Sequence, residues 1–109
     1  MIRHIVLFKF KDEVPPEERR AFIARLKQLP QQIAEIKEFE VGEDITRAAR
    51  SYDLALVATY EDEEALRRYA EHPDHLPVVE LARQLCQHIV SVDYACNPPP
   101  QSASSLPTA

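Results

Sequence analysis

The chain reads as one α+β domain of the ferredoxin-like type, βαββαβ with an antiparallel sheet, and as one half of a dimeric α+β barrel. Three observations carry this. Apolar residues alternate with period two in four segments and recur at helical spacing between them. The segments run strand–helix–strand and then strand–helix–(helix)–strand, two βαβ halves. One face of the sheet stays apolar after the helices have covered the other.

Ile2 to Phe10 is the first strand, with His4, Val6, Phe8 and Phe10 on one face and Arg3, Ile5, Leu7 and Lys9 on the other. Val14-Pro15-Pro16-Glu17-Glu18 opens a helix, since proline suits the first turn and acids there complement the dipole. Phe22, Leu26, Leu29 and Ile33 form its apolar stripe, and Pro30 is expected to end or kink it near Leu29. Ile36 to Val41 follows as a strand with Phe39 and Val41 inward. Gly42, the only glycine, is expected at a positive φ or a bulge. Glu43 to Ser51 is polar and reads as a loop.

Tyr52 to Tyr60 has two apolar faces, so both should be covered. Asp62 caps the next helix, whose stripe is Leu66, Tyr69 and Ala70 and whose end is His72-Pro73. Pro77 opens a further helix with Val78, Leu81, Ala82 and Leu85. His88 to Tyr94 is the last strand, with Val90, Val92 and Tyr94 on one face and Ile89, Ser91 and Asp93 on the other. The domain is drawn over residues 1–96. From Asn97 to Ala109 the Pro/Ser-rich, uncharged sequence reads as a flexible tail.

Composition narrows the function. A chain of 109 residues with 45% hydrophobic and 28% charged residues is one globular domain, and it gains from a partner. A net charge of −5 with basic residues scattered among acids argues against nucleic acid. No apolar run approaches the roughly 20 residues a membrane helix needs, and no leader is visible, so a cytoplasmic place is expected. Cys86 and Cys96 are expected as free thiols.

The helices are expected to cover His4, Val6, Phe8, Leu54, Leu56, Val90 and Val92. That leaves Ile5, Leu7, Ala55, Val57 and Ile89 as an open apolar face. A second copy stacked on that face gives a homodimer; the alternative is that the tail covers it.

On the helix side, Tyr69 and His72 lie three apart, His75 follows the turn at Pro73, and His4 points from the first strand toward them. Histidine is the side chain whose ordinary pKa lies nearest neutrality, and tyrosine can donate to a developing oxyanion. Phe8, Phe22, Leu54 and Val79 would wall such a pocket, with His72 at its rim among the substrate-binding residues. Plainer readings stand beside this one. His4 would be a core histidine, His72 a helix-end group bonded to local backbone, and Tyr69 a core aromatic. His72, Asp74 and His75 also have donor atoms for a metal, but no third distant ligand stands out, and neither metal nor cofactor is expected.

The opening Met1-Ile2-Arg3-His4-Ile5-Val6-Leu7-Phe8-Lys9-Phe10-Lys11 is similar to the start of the stress-responsive dimeric A/B-barrel (Dabb) domain family. So are Phe39-Glu40-Val41-Gly42, Tyr69-Ala70-Glu71-His72-Pro73-Asp74-His75 and Val92-Asp93-Tyr94, and the likeness spans nearly all of residues 1–96. The resemblance implies a ferredoxin-like fold and a homodimer. One branch, containing the plant olivetolic acid cyclase, closes a polyketide chain by aldol condensation without a metal. It implies His75 as general base, Tyr69 as partner of a substrate oxygen and His4 in the pocket. That branch carries a further histidine where Leu54 stands here. Two functions follow as expectations. One is a cofactor-independent cyclase or isomerase acting on a small carbonyl or polyketide-like substrate. The other is a non-catalytic dimeric module binding a ligand or protein in a stress response.

Overall fold

The structure, a computed structural model, describes residues 1–96. The Pro/Ser-rich stretch read as a tail lies outside the described residues. The elements are β1 (Ile2–Phe10), α1 (Pro16–Gln32), β2 (Glu38–Glu43), β3 (Leu54–Tyr60), α2 (Glu63–Ala70), α3 (Leu76–Leu85) and β4 (Cys86–Ala95). The four strands form one antiparallel sheet in the order β2-β3-β1-β4, which is the ferredoxin-like topology.

Local chemistry explains most boundaries. Pro16 opens α1, with Glu17 and Glu18 in the first turn. Asp62 caps α2 by accepting the Ala65 N–H at 2.8 Å. The apolar stripe of α1 is driven onto the sheet, where Phe22, Leu29 and Ile33 are fully buried against Phe8, Leu54 and Leu56. Between β2 and β3, Asp53 ties the loop to β1. Its Oδ2 accepts the Phe10 N–H at 2.8 Å, and its Oδ1 accepts from Arg47 at 2.6 Å. Burial pushes the Asp53 carboxyl upward, but Arg47, the Phe10 N–H and Lys9 outweigh it and hold the pKa below the usual range.

Three local expectations need correction. Helix α1 does not end at Leu29 but runs through Pro30 to Gln32. Pro30 lies in the last turn, where its missing N–H costs one bond, and the buried Ile33 closes the helix by donating to the Leu29 carbonyl at 2.9 Å. Strand β2 begins at Glu38, and its ladder continues through Gly42, which pairs with Ala55. Gly42 has neither a positive φ nor a bulge; a Cβ there would meet nothing within 4 Å. The one positive φ among the described non-glycine residues is at Arg47 (53°), whose N–H donates to Asp44 Oδ2.

The largest correction concerns β4. Cross-strand neighbours share a face, and the register sets Ile5 opposite Val92, Leu7 opposite Val90 and Arg3 opposite Tyr94. Val90 and Val92 therefore stand on the open face, and Ile89, with Ser91 and Asp93, stands on the helix side. Exposures of 45% for Val90, 54% for Val92 and 42% for Tyr94 agree with this placement. A register shift between Lys9 and Phe10 seats Cys86 in the core opposite Phe10. The open face thus carries Ile5, Leu7, Val57, Val90, Val92 and Tyr94, a larger apolar surface than the sequence alone indicates.

Candidate functional site

The end of α2 and the start of α3 place the candidate side chains. The His72 N–H donates to the Tyr69 carbonyl at 3.1 Å. The His72 carbonyl in turn accepts from His75 at 2.9 Å and Leu76 at 3.1 Å, and the His75 carbonyl accepts from Val78 and Val79 at 3.0 Å. This chain of turns folds His75 back over Tyr69, so that the two rings lie 4.2 Å apart, tilted by 36°. His4 approaches from β1 with its ring 6.0 Å from Tyr69 and 6.2 Å from Tyr60. Tyr60 and Tyr69 are 4.9 Å apart.

The tautomers follow from the partners. His75 Nδ1 lies 3.1 Å from the Ala70 carbonyl. A carbonyl only accepts, so Nδ1 carries the hydrogen and the lone pair of the neutral ring is on Nε2. Burial holds the His75 pKa below its ordinary value; the Ala70 bond raises it, and the charges of His4 and His72 lower it further. His4 Nδ1 is hydrogen-bonded to Asp93 Oδ1, which fixes that ring in the same sense. Burial pushes the Tyr69 phenol up to about 12, against a lowering by Tyr60, so it stays protonated and able to donate at neutral pH. The Tyr60 hydroxyl is buried without a hydrogen-bond partner, and burial first, then Tyr69, raises its pKa well above the usual value.

His4, Tyr69 and His75 border a cavity of about 460 Å³ between the helices and the β1–β4 side of the sheet. That is the size of a small-molecule site. His4, Tyr69, His75, Phe8, Phe22 and Val79 all line it. Leu54 does not; it is buried in the core one pleat away, and Leu56 supplies the β3 wall. His72 does not line it either, and its Nδ1 accepts the Asp74 N–H at 3.0 Å. Among the described residues no three His, Cys, Asp or Glu side chains converge as a metal would require.

Sequence reasoning misses Asp93, because it turns the other face of β4 toward the helices. The register supplies it: antiparallel pairing with Ile5 opposite Val92 forces Asp93 opposite His4. Sequence reasoning also misses Arg83 and Gln87, which lie at the cavity lining beyond Val79.

Comparison with known proteins agrees with the architecture. Residues 2–96 match the model of the Stress responsive A/B Barrel Domain family. An uncharacterised protein of Streptomyces coelicolor is 36% identical over 96 residues, covering 86% of this chain and 98% of that protein. Olivetolic acid cyclase of Cannabis sativa is 25% identical over 95 residues, covering 85% and 94%. Among solved structures, a dimeric ferredoxin-like protein of unknown function from Thermobifida fusca superposes with a TM-score of 0.79 at 37% identity, covering 87% of this chain and 90% of its own. No helix among the described residues is long and apolar enough to cross a membrane.

Proposed function

This chain belongs to the stress-responsive A/B-barrel domain family, and on that premise we propose that it is a homodimeric enzyme without a metal that moves protons next to a carbonyl, as a cyclase or isomerase would. The observation that carries the reading is His75, with Nδ1 held by the Ala70 carbonyl and its ring packed on Tyr69 at the cavity wall.

The reaction follows from the two rings. Nε2 of neutral His75 takes a proton from the carbon beside a bound carbonyl, and the electron pair moves onto the carbonyl oxygen. Tyr69 donates a hydrogen bond to that oxygen as its charge develops. The imidazolium then returns the proton at a new position, or the enolate carbon attacks a second carbonyl of the same molecule, whose oxygen takes the electron pair and then the proton from the imidazolium. His4, oriented by Asp93, lines the pocket and holds a second polar contact. The apolar walls Phe8, Phe22 and Val79 exclude water and accept the carbon chain. The likeness to a cyclase supports the reaction class; the substrate of that relative is not carried over, and Leu54 lies away from the cavity.

The test is hydrogen exchange in D₂O. The chain should catalyse replacement of the α-protons of 2-nonanone by deuterium, followed by proton NMR. His75→Ala should lower the rate by about 10²–10⁴-fold, the usual worth of a positioned general base. Equal rates for the two proteins would contradict the mechanism. Binding of the ketone without exchange would make the chain a ligand-binding module instead.

A further inference from the structure

The one fixed charge in the cavity lining, that of Arg83, is opposite in sign to the net charge of the chain. The chain has 18 acidic against 13 basic residues, a net charge of −5. Among the described residues, however, no Asp or Glu lines the cavity, while Arg83, His4, His75 and His88 do. Asp93 stands beside the wall with its carboxylate engaged by His4. A concavity of one sign in a low-dielectric wall focuses field and favours a ligand of the opposite sign.

The polar groups stand at two ends. His75 and Arg83 are both on the cavity side of α3, eight residues apart, which at 1.5 Å per residue is ~12 Å along the axis. Val78, Val79 and Ala82 lie between them along the helix, and Phe8 and Phe22 line the same cavity. Arg83 is the one Arg or Lys of the lining. Its neighbour Glu80 lies 3.8 Å away in an exposed pair, with the Arg83 side chain 70% exposed. Such a pair is weakly held and can exchange partners.

We propose that the ligand is an amphipathic anion: a carboxylate bound by Arg83 at the mouth, an apolar chain along α3, and a carbonyl at His75 and Tyr69. This rests on the reading of the cavity as a ligand site, and it names the substrate class as medium-chain oxo acids. Arg83 is then a specificity-determining residue. Its guanidinium presents a donor fork that a carboxylate fills and an alcohol does not.

Decanoate and decanol are the probes, with affinity measured by calorimetry on the full chain. Decanoate should bind about tenfold more tightly than decanol, the difference a charge-assisted hydrogen bond supports. Arg83→Gln should erase that preference and leave decanol binding unchanged, and Arg83→Lys should restore part of it. Raised salt should weaken decanoate alone. Equal affinity of the two probes, an unaltered preference in Arg83→Gln, or binding of neither probe would overturn the proposal. The general-base reading fails separately: decanoate binding that depends on Arg83, with no His75-dependent exchange of 2-nonanone, would retain the anion site and remove the chemistry.

Discussion

By light scattering the parent chain should be a dimer, and a Val92→Glu protein should be monomeric at the same concentration. Val92 sits on the open face, opposite Ile5 of β1, and is 54% exposed in the isolated protomer. With Leu7, Val90 and Tyr94 also exposed there, one small domain presents more contiguous apolar surface than water tolerates without consequence. In the proposed dimer a second copy related by a two-fold axis would close that surface; similar solved structures are described as dimeric. Two-fold symmetry would double the substitution and take two carboxylates from water into a largely apolar surface, where Arg3 of the same face is already paired with Glu38. Unpaired buried charges cost several kcal/mol each. The same change at Ala24, on the exposed side of α1, should leave the dimer intact. A Val92→Glu protein that remains dimeric would place the interface elsewhere.

Phe22→Ala should cost about 3–5 kcal/mol of stability, a large part of the roughly 5–15 kcal/mol that holds a domain together. Phe22 is fully buried. It packs edge to face on Phe8 at 5.6 Å and on Phe10 at 6.0 Å, joining α1 to the centre of the sheet. Truncation removes both aromatic contacts and enlarges the adjoining cavity, which the backbone of β1, paired on both sides, cannot collapse to fill. Phe22→Leu should lose much less, because most of the volume returns. Urea titration reads both. A loss below about 1 kcal/mol in Phe22→Ala would mean that the α1–sheet contact is not a principal source of stability.

Much of this fold is legible from periodicity. β1 keeps its core residues Val6, Phe8 and Phe10 two apart, α1 carries one stripe, and the Asp62 cap with its two following glutamates marks the start of α2. What was not legible required knowledge of partners. In β4 alternation sets Val90, Val92 and Tyr94 against Ile89, Ser91 and Asp93, but where the open face of the sheet is apolar too, the more apolar set need not face the helices. The pairing of Ile5 with Val92 decides it. Pro30 looks like a stop because propensity sees only its own ring, whereas burial of Ile33 holds the last turn in place. Gly42 suggests a special backbone angle, yet it is ordinary strand on the exposed face.

The candidate site divides the same way. Tyr69 and His75 are close in sequence, and helix and turn geometry bring them near each other. His4 needs only the correct face of β1. Asp93 depends on the register, and Arg83 depends on which side of α3 meets the cavity. Neither is recoverable from local spacing.

The central claim is that His75 is a neutral base held in a ligand cavity. A half-buried imidazole whose pKa is held down by desolvation binds protons less readily in the folded state than in the unfolded one. The unfolded chain therefore takes up the proton first as pH falls, and His75 removes stability from about pH 6.5 downward, with no further loss once the folded ring is also protonated. The direct measurement is an NMR titration of the four histidines, with the His75 resonance assigned by His75→Ala, in the presence and absence of 2-nonanone. The account predicts a His75 midpoint below that of a free imidazole and a His75 signal that moves when the ketone is added. A His75 that titrates as a free imidazole and is indifferent to the ketone would contradict it.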